Sequence, residues 1–213
     1  MAQDCLEGID VSHYQGTVDW TSVAGANIRF AILKASEGTS FQDPTFHTNW
    51  AGAKAAGLAC GAYHYFLPTE SFMQQADNLV GALQAVQFDP ATDLPPAIDC
   101  EEMQGCSPAT YAYALSALVE LVQMFIGVKP MIYASPAFWN ALGNPGFGDH
   151  PLWIAEYTSA AAPSVPKPWS DYAIWQYTNS GSVPGVNGPV DRNRMAPPKA
   201  AAAAPVASPL HWF

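Results

Sequence analysis

The chain predicts an α/β fold, a TIM-like barrel of (β/α)5(β)3 type, eight strands with helices mainly after the first five. Three observations carry that expectation. Short apolar or aromatic runs alternate with helix-like segments through the first two-thirds of the chain, the pattern of a parallel sheet with crossover helices. The alternation then stops, and three more strand-like runs follow with Pro-, Gly- and Ser-rich loops between them. Finally, 213 residues with 49% hydrophobic and 12% charged content suit one closed barrel with a full core, not a disordered chain.

The elements follow in order. EGIDVS (7–12) and RFAILKAS (29–36) read as the first two strands. A helix is expected from about Pro44 to Ala56, with Asp43 as its cap and Gly57 as its stop. LACGAYHYF (58–66) is a buried parallel strand by its small and aromatic residues. Ser71 with Gln74 three positions later opens a helix that runs to Leu83. LPPAIDCE (94–101) is the fourth strand; Ser107-Pro108 then starts a helix that Gly127 ends. VKPMIYAS (128–135) is followed by a short helix from Pro136 to Leu142. LWIAEY (152–157), YAIWQY (172–177) and GVNGPVD (185–191) complete eight strands, a number that closes into a small barrel. Residues 1–195 form the barrel in this reading, and 196–213 are an Ala/Pro-rich tail that reads as a solvated linker.

Charge excludes several partners. Net charge is −10 with eight basic residues, so no basic patch is available to neutralise nucleic-acid phosphates or an anionic membrane. No run of eighteen apolar residues is present, and no membrane insertion is expected. MAQDCLEG lacks the basic flank and apolar core of a signal peptide. Cys5, Cys60, Cys100 and Cys106 show no C-x-x-C spacing. Paired and free states are both open for them. The five histidines show no metal-ligand spacing, and phosphate loops and nucleophile elbows are missing. The expectation is a monomer with no metal and no cofactor.

Carboxylates carry the chemistry. Asp10 ends the first strand, Asp99 and Glu101 the fourth, and Asp191 the last. Functional groups of parallel barrels sit at the C-terminal strand ends, so these acids should meet at one rim. Residues i and i+2 of a strand share a face, roughly 7 Å apart. Asp99 and Glu101 should therefore repel, pushing one toward protonation. A protonated and an ionised carboxyl side by side are what glycosidic bond cleavage uses. Aromatic residues surround the rim: Tyr63 and Tyr65, Tyr133, Trp153 and Tyr157, Trp175 and Tyr177. Gln176 and Lys34 offer polar contacts among them.

Taken together and in order, GIDVSHYQGTVDW, FAILKASEGTSFQDPTF, GAYHYFLPTESFMQQA, IDCE, MIYAS, LWIAEY and IWQYTNSGSVPGVNGPVDRN closely resemble the glycoside hydrolase family 25 lysozymes, over about residues 7–195. The resemblance implies an N-acetylmuramidase that cuts the β-1,4 bond between N-acetylmuramic acid and N-acetylglucosamine. It makes Glu101 the general acid, Asp99 its assistant at the substrate acetamido group, and Asp10 and Asp191 members of the same pocket. Sugar-contact candidates are Lys34, Glu37, Tyr65, Tyr133, Trp153, Tyr157, Trp175 and Gln176. The partner is then a peptidoglycan glycan strand, with the protein secreted or otherwise exported to the wall. Two other readings compete. Chitinase-type barrels also end a strand in Asp-x-Glu, but carry further acids where this chain has Pro95, Pro96 and Ala97. A non-catalytic glycan-binding module would not need all four acids.

Overall fold

Nine strands form a single sheet in the computed structural model, which describes residues 5–195. The Ala/Pro-rich segment lies outside the described residues. The strands are β1 (Leu6–Val11), β2 (Phe30–Glu37), β3 (Phe41–Gln42), β4 (Ala59–Tyr65), β5 (Ala97–Asp99), β6 (Met131–Ala134), β7 (Leu152–Ala155), β8 (Ile174–Gly181) and β9 (Val190–Met195). The helices are α1 (Trp20–Gly25), α2 (Phe46–Ala55), α3 (Phe72–Ala85), α4 (Pro108–Ile126) and α5 (Pro136–Ala141). β1 pairs with β2 on one side and β9 on the other, which closes an eight-stranded barrel; β3 only extends the end of β2. Among the described residues, helices follow each of the first five barrel strands and none of the last three.

The last strand departs from expectation. It spans Val190–Met195 and not 185–191, and it runs antiparallel to both β1 and β8. Asp191 therefore opens this strand instead of closing it. Because the strand is reversed, its first residues lie at the rim where the parallel strands end. Asp191 is the register partner of Asp10 on β1.

Capping residues set the helix starts. Ser71, Ser107 and Ser135 each accept a backbone N–H from their own first turn, and Pro108 and Pro136 occupy the first helical position. Gly127 ends α4 at φ 78°, a conformation that costs glycine little. α1 was not anticipated; the Asp19 carboxylate caps it by accepting from Thr21 and Ser22 N–H. Asp43 does not cap α2, which begins at Phe46 after Thr45. Its carboxylate instead accepts from Thr45 N–H and from His13 N–H, tying the turn after β1 to the segment before α2.

α4 is the longest helix and the most apolar, with 19 residues of mean hydropathy 1.4. Length and composition alone would let it cross a bilayer, but Tyr111, Leu115, Leu118, Val119 and Val122 are packed into the layer between helices and barrel. Each such side chain contributes about 1.5–3 kcal/mol of burial.

Alternation along the strands sorts side chains into two cores. Ile9, Val11, Leu33, Cys60, Ile98, Cys100, Ile132 and Ile154 point outward beneath the helices. Phe30, Ile32, Ala97, Met131, Tyr133, Trp153 and Ile174 fill the barrel. Gly8 makes room for the Phe30 ring, which a Cβ at that position would overlap. The barrel floor is thus apolar up to the level where the acids begin. All four cysteines are free thiols.

Candidate active site

Two residues beyond the apolar floor, most inward-facing rows turn polar. Gly8 is followed by Asp10, Ile32 by Lys34, Ala97 by Asp99, Met131 by Tyr133, and Ile174 by Gln176. Asn193 and Asp191 do the same from β9. A cavity of about 320 Å³ opens at this rim and is lined by Asp10, Asp99, Glu101 and Asp191 together with Lys34, Tyr65 and other rim residues. A second cavity of about 500 Å³ shares Glu101, Tyr133 and Tyr157 with the first and continues past Ser135, Phe138 and Glu156. Glu101 thus stands at the junction of one groove.

All four acids come together, but Asp99 and Glu101 are not neighbours on one strand. β5 ends at Asp99, which is buried, and Glu101 lies in the following loop with its side chain exposed at the mouth. The repulsion anticipated from alternation is present all the same. Burial raises the Asp99 pKa well above the ordinary carboxylate range, and the charges of Glu101 and Asp10 add to it. Asp99 Oδ1 has no hydrogen-bond partner in the protein. Glu101 is raised as well, first by desolvation from the cavity walls and then by Glu102 and Asp191, with a hydrogen bond from Tyr133, where the phenol is the donor, offsetting part of the rise. Burial also raises Asp10, followed by Asp191; amide donors from Asn193 and Gln176 offset part of this. Lys34 opposes the rise at both Asp99 and Glu101. Crowding this many carboxyls beside so little positive charge shifts the site toward holding its protons to higher pH.

The neutral side chains hold these acids in place. Asp10 Oδ2 accepts from Asn193 Nδ2 at 2.7 Å and from Gln176 Nε2 at 2.9 Å. Trp153 donates its indole N–H to Asn193 at 2.8 Å and meets the Tyr133 ring edge-on at 4.5 Å. Lys34 is buried, ion-paired with Glu37 at 2.6 Å, and its ammonium lies 5.1 Å from the centre of the Tyr65 ring. Tyr63, Tyr65 and Tyr157 complete the walls. Among the described residues, no group of three or more His, Cys, Asp or Glu side chains is arranged to hold a metal ion.

The structure does not bring Trp175 to the groove. Its indole is buried in the outer layer and donates to the Glu156 carbonyl, because odd positions of β8 face away from the barrel interior. Tyr177 lies on that outer face too, with its hydroxyl on Glu7. Glu37 does not line the groove; it acts on the site through its ion pair with Lys34 and through its charge on Asp99. Asn193, Ser12, Tyr14 and Asn179 also belong to the site. None of these four stood out in the sequence. Asn193 could have been found from the antiparallel register, since residues 191 and 193 share the inner face.

A closed barrel with paired acids at the rim of its parallel strand ends, lined by tyrosines, defines a glycoside hydrolase. The comparisons give the family. The profile of glycosyl hydrolases family 25 matches residues 9–186. YegX of Escherichia coli K12 is 36% identical over 88% of this chain and 68% of its own length. Lysozyme M1 of Streptomyces globisporus is 34% identical over 89% of this chain and 67% of its own. The bacterial lysozyme from Streptomyces coelicolor superposes with a TM-score of 0.81 at 31% identity, covering 91% of this chain and 93% of that one. The chain belongs to glycosyl hydrolase family 25 and is an enzyme of the lysozyme class, hydrolysing peptidoglycan.

Proposed function

We propose that this enzyme cuts the β-1,4 bond between N-acetylmuramic acid and N-acetylglucosamine, with Glu101 as general acid and Asp99 assisting. The observation that carries the reading is the place of Glu101: a carboxyl with a raised pKa, exposed at the junction of two cavities, directly above a buried second acid. A glycan strand laid along the groove presents its scissile oxygen to Glu101, which donates its proton as the C1–O bond breaks. Asp99 Oδ1 is free to accept the N–H of the acetamido group on the sugar being cleaved. That bond turns the acetamido carbonyl oxygen toward C1, where it forms the new C–O bond as the leaving group departs. Water then attacks C1, displacing the acetamido oxygen and restoring the acetamide, and gives its proton to the Glu101 carboxylate. The hydrogen-bonded Asp10–Asp191 pair places the negative charge it carries beside the sugar ring, which favours the positive charge developing there.

In this reading the working partner is the glycan strand, the protein acts as a monomer, and it reaches the wall by secretion or another export route. Mass spectrometry of digested peptidoglycan tests the bond assignment. New reducing ends on N-acetylmuramic acid are expected; reducing N-acetylglucosamine ends would contradict it. Product retention of the β anomer tests the acetamido route.

A further inference from the structure

Gln176 is 2% exposed, and both ends of its amide are engaged by protein. Oε1 lies 2.9 Å from the Tyr133 hydroxyl and 2.8 Å from that of Tyr157, while Nε2 lies 2.9 Å from Asp10 Oδ2. Which way round the amide sits decides where the two phenol protons point. A neighbour without that freedom settles the question. The Trp153 indole N–H can only donate. It donates to Asn193 Oδ1, so Asn193 Nδ2 must face Asp10 Oδ2. The proton that Asp10 carries when neutral is engaged by Asp191, so Asp10 Oδ2 is an acceptor, and the second amide approaching it presents N–H too. Gln176 Oε1 is left to the tyrosines, and both phenols donate into it.

Tyr133 also hydrogen-bonds Glu101 and lines both cavities with it; with the phenol as donor that bond would hold the Glu101 pKa down. A phenol has one proton, and here Gln176 holds it. We propose that Gln176 is a positioning residue for the general acid: by taking the Tyr133 proton it obliges the phenol oxygen to accept from the Glu101 carboxylic acid, which keeps that proton in place until the glycosidic oxygen receives it. This rests on Glu101 being the acid. A bond accepted from the acid retains its proton, whereas a bond donated to the carboxylate would drive the proton off. The amide behind Tyr133 therefore sets the sign of its influence. The other charged or titratable groups around Glu101 are Asp99 of β5, its chain neighbours Cys100 and Glu102, Asp191 of β9, Lys34 of β2, Tyr65 of β4, and Glu156 and Tyr157 after β7. All of them are retained in the variants below.

The test is the pH dependence of kcat/KM on soluble peptidoglycan glycan oligomers for wild type, Tyr133→Phe, Gln176→Met and the double variant. The alkaline limb reports the essential acid of the free enzyme. Each single variant should move that limb down by about one pH unit, the size of one ordinary hydrogen bond. The double variant should move it no further than Tyr133→Phe does. An upward move in Tyr133→Phe would mean that the phenol donates to Glu101, and would overturn the inference. So would a uniform loss of rate with an unmoved limb. Should Gln176→Met not fold, the sign in Tyr133→Phe still decides. Glu101→Gln separates the two ideas: full activity there removes the general-acid reading, while a 13C NMR titration of the Glu101 carboxyl in wild type and Tyr133→Phe still reads how its proton is held.

Discussion

His64 should give this barrel a defined weakness in acid. Its imidazole is fully buried on β4, between Ser36 Oγ at 2.8 Å from Nδ1 and Gln75 Oε1 at 3.1 Å from Nε2. Gln75 Oε1 also accepts the Leu67 N–H, so it serves as an acceptor and His64 donates from Nε2. The ring is neutral, and burial lowers its pKa from 6.5 to about 4. The unfolded chain therefore binds this proton before the folded chain does. Stability from the neutral ring is complete above pH 6.5 and is lost as pH falls through 4. The shift corresponds to about 3 kcal/mol across that window. Buried Asp10 and Asp99 work in the opposite sense, since their raised pKa values add stability as pH falls. Comparison with His64→Gln removes that background, because both proteins carry these acids. Urea denaturation at pH 7, 5.5 and 4 is the assay. The stability gap between wild type and variant should shrink by about 3 kcal/mol from neutral pH to 4. A gap that stays constant with pH would refute the reasoning.

Four further outcomes are expected. Asp99→Asn should lower kcat by roughly a hundredfold or more. It should also raise the melting temperature, more at pH 8 than at pH 5, because a buried carboxyl with a raised pKa loses stability as pH increases; a lower melting temperature at pH 8 would oppose this. Lys34→Met removes a cation that holds down the pKa values of Asp99 and Glu101, so both limbs of the pH–rate profile should move to higher pH. Gly8→Ala forces a methyl against the Phe30 ring and should cost about 1–3 kcal/mol, read as a lower urea midpoint. Reducing agent should leave the melting temperature unchanged, and all four thiols should react with a thiol reagent in denaturant.

Local signals made much of this architecture legible. Ser107-Pro108 and Gly127 mark the bounds of α4 because capping and left-handed backbone are decided by single residues. Asp10 and Asp99 could be placed at the rim because both end apolar strands, and the rim of a parallel barrel is where strands end. Asp191 reached the correct rim for a different physical reason. The direction of the last strand depends on pairing with β1 and β8, which no local pattern encodes. Alternation showed that Trp175 and Tyr177 share a face, yet not that this face is the outer one. The clue was Gln176, a polar residue between two large aromatics, since only the interior at that level offers polar partners. α1 escaped notice because its six residues are too few to show a helical period.

The turnover of Glu101→Gln tests the central claim most directly. Clearing of a peptidoglycan suspension should fall by about 10²–10⁴, with circular dichroism and melting temperature close to wild type, because the side chain is exposed and its loss disturbs no packing. Near-normal clearing by the folded variant would contradict the assignment of Glu101 as the proton donor.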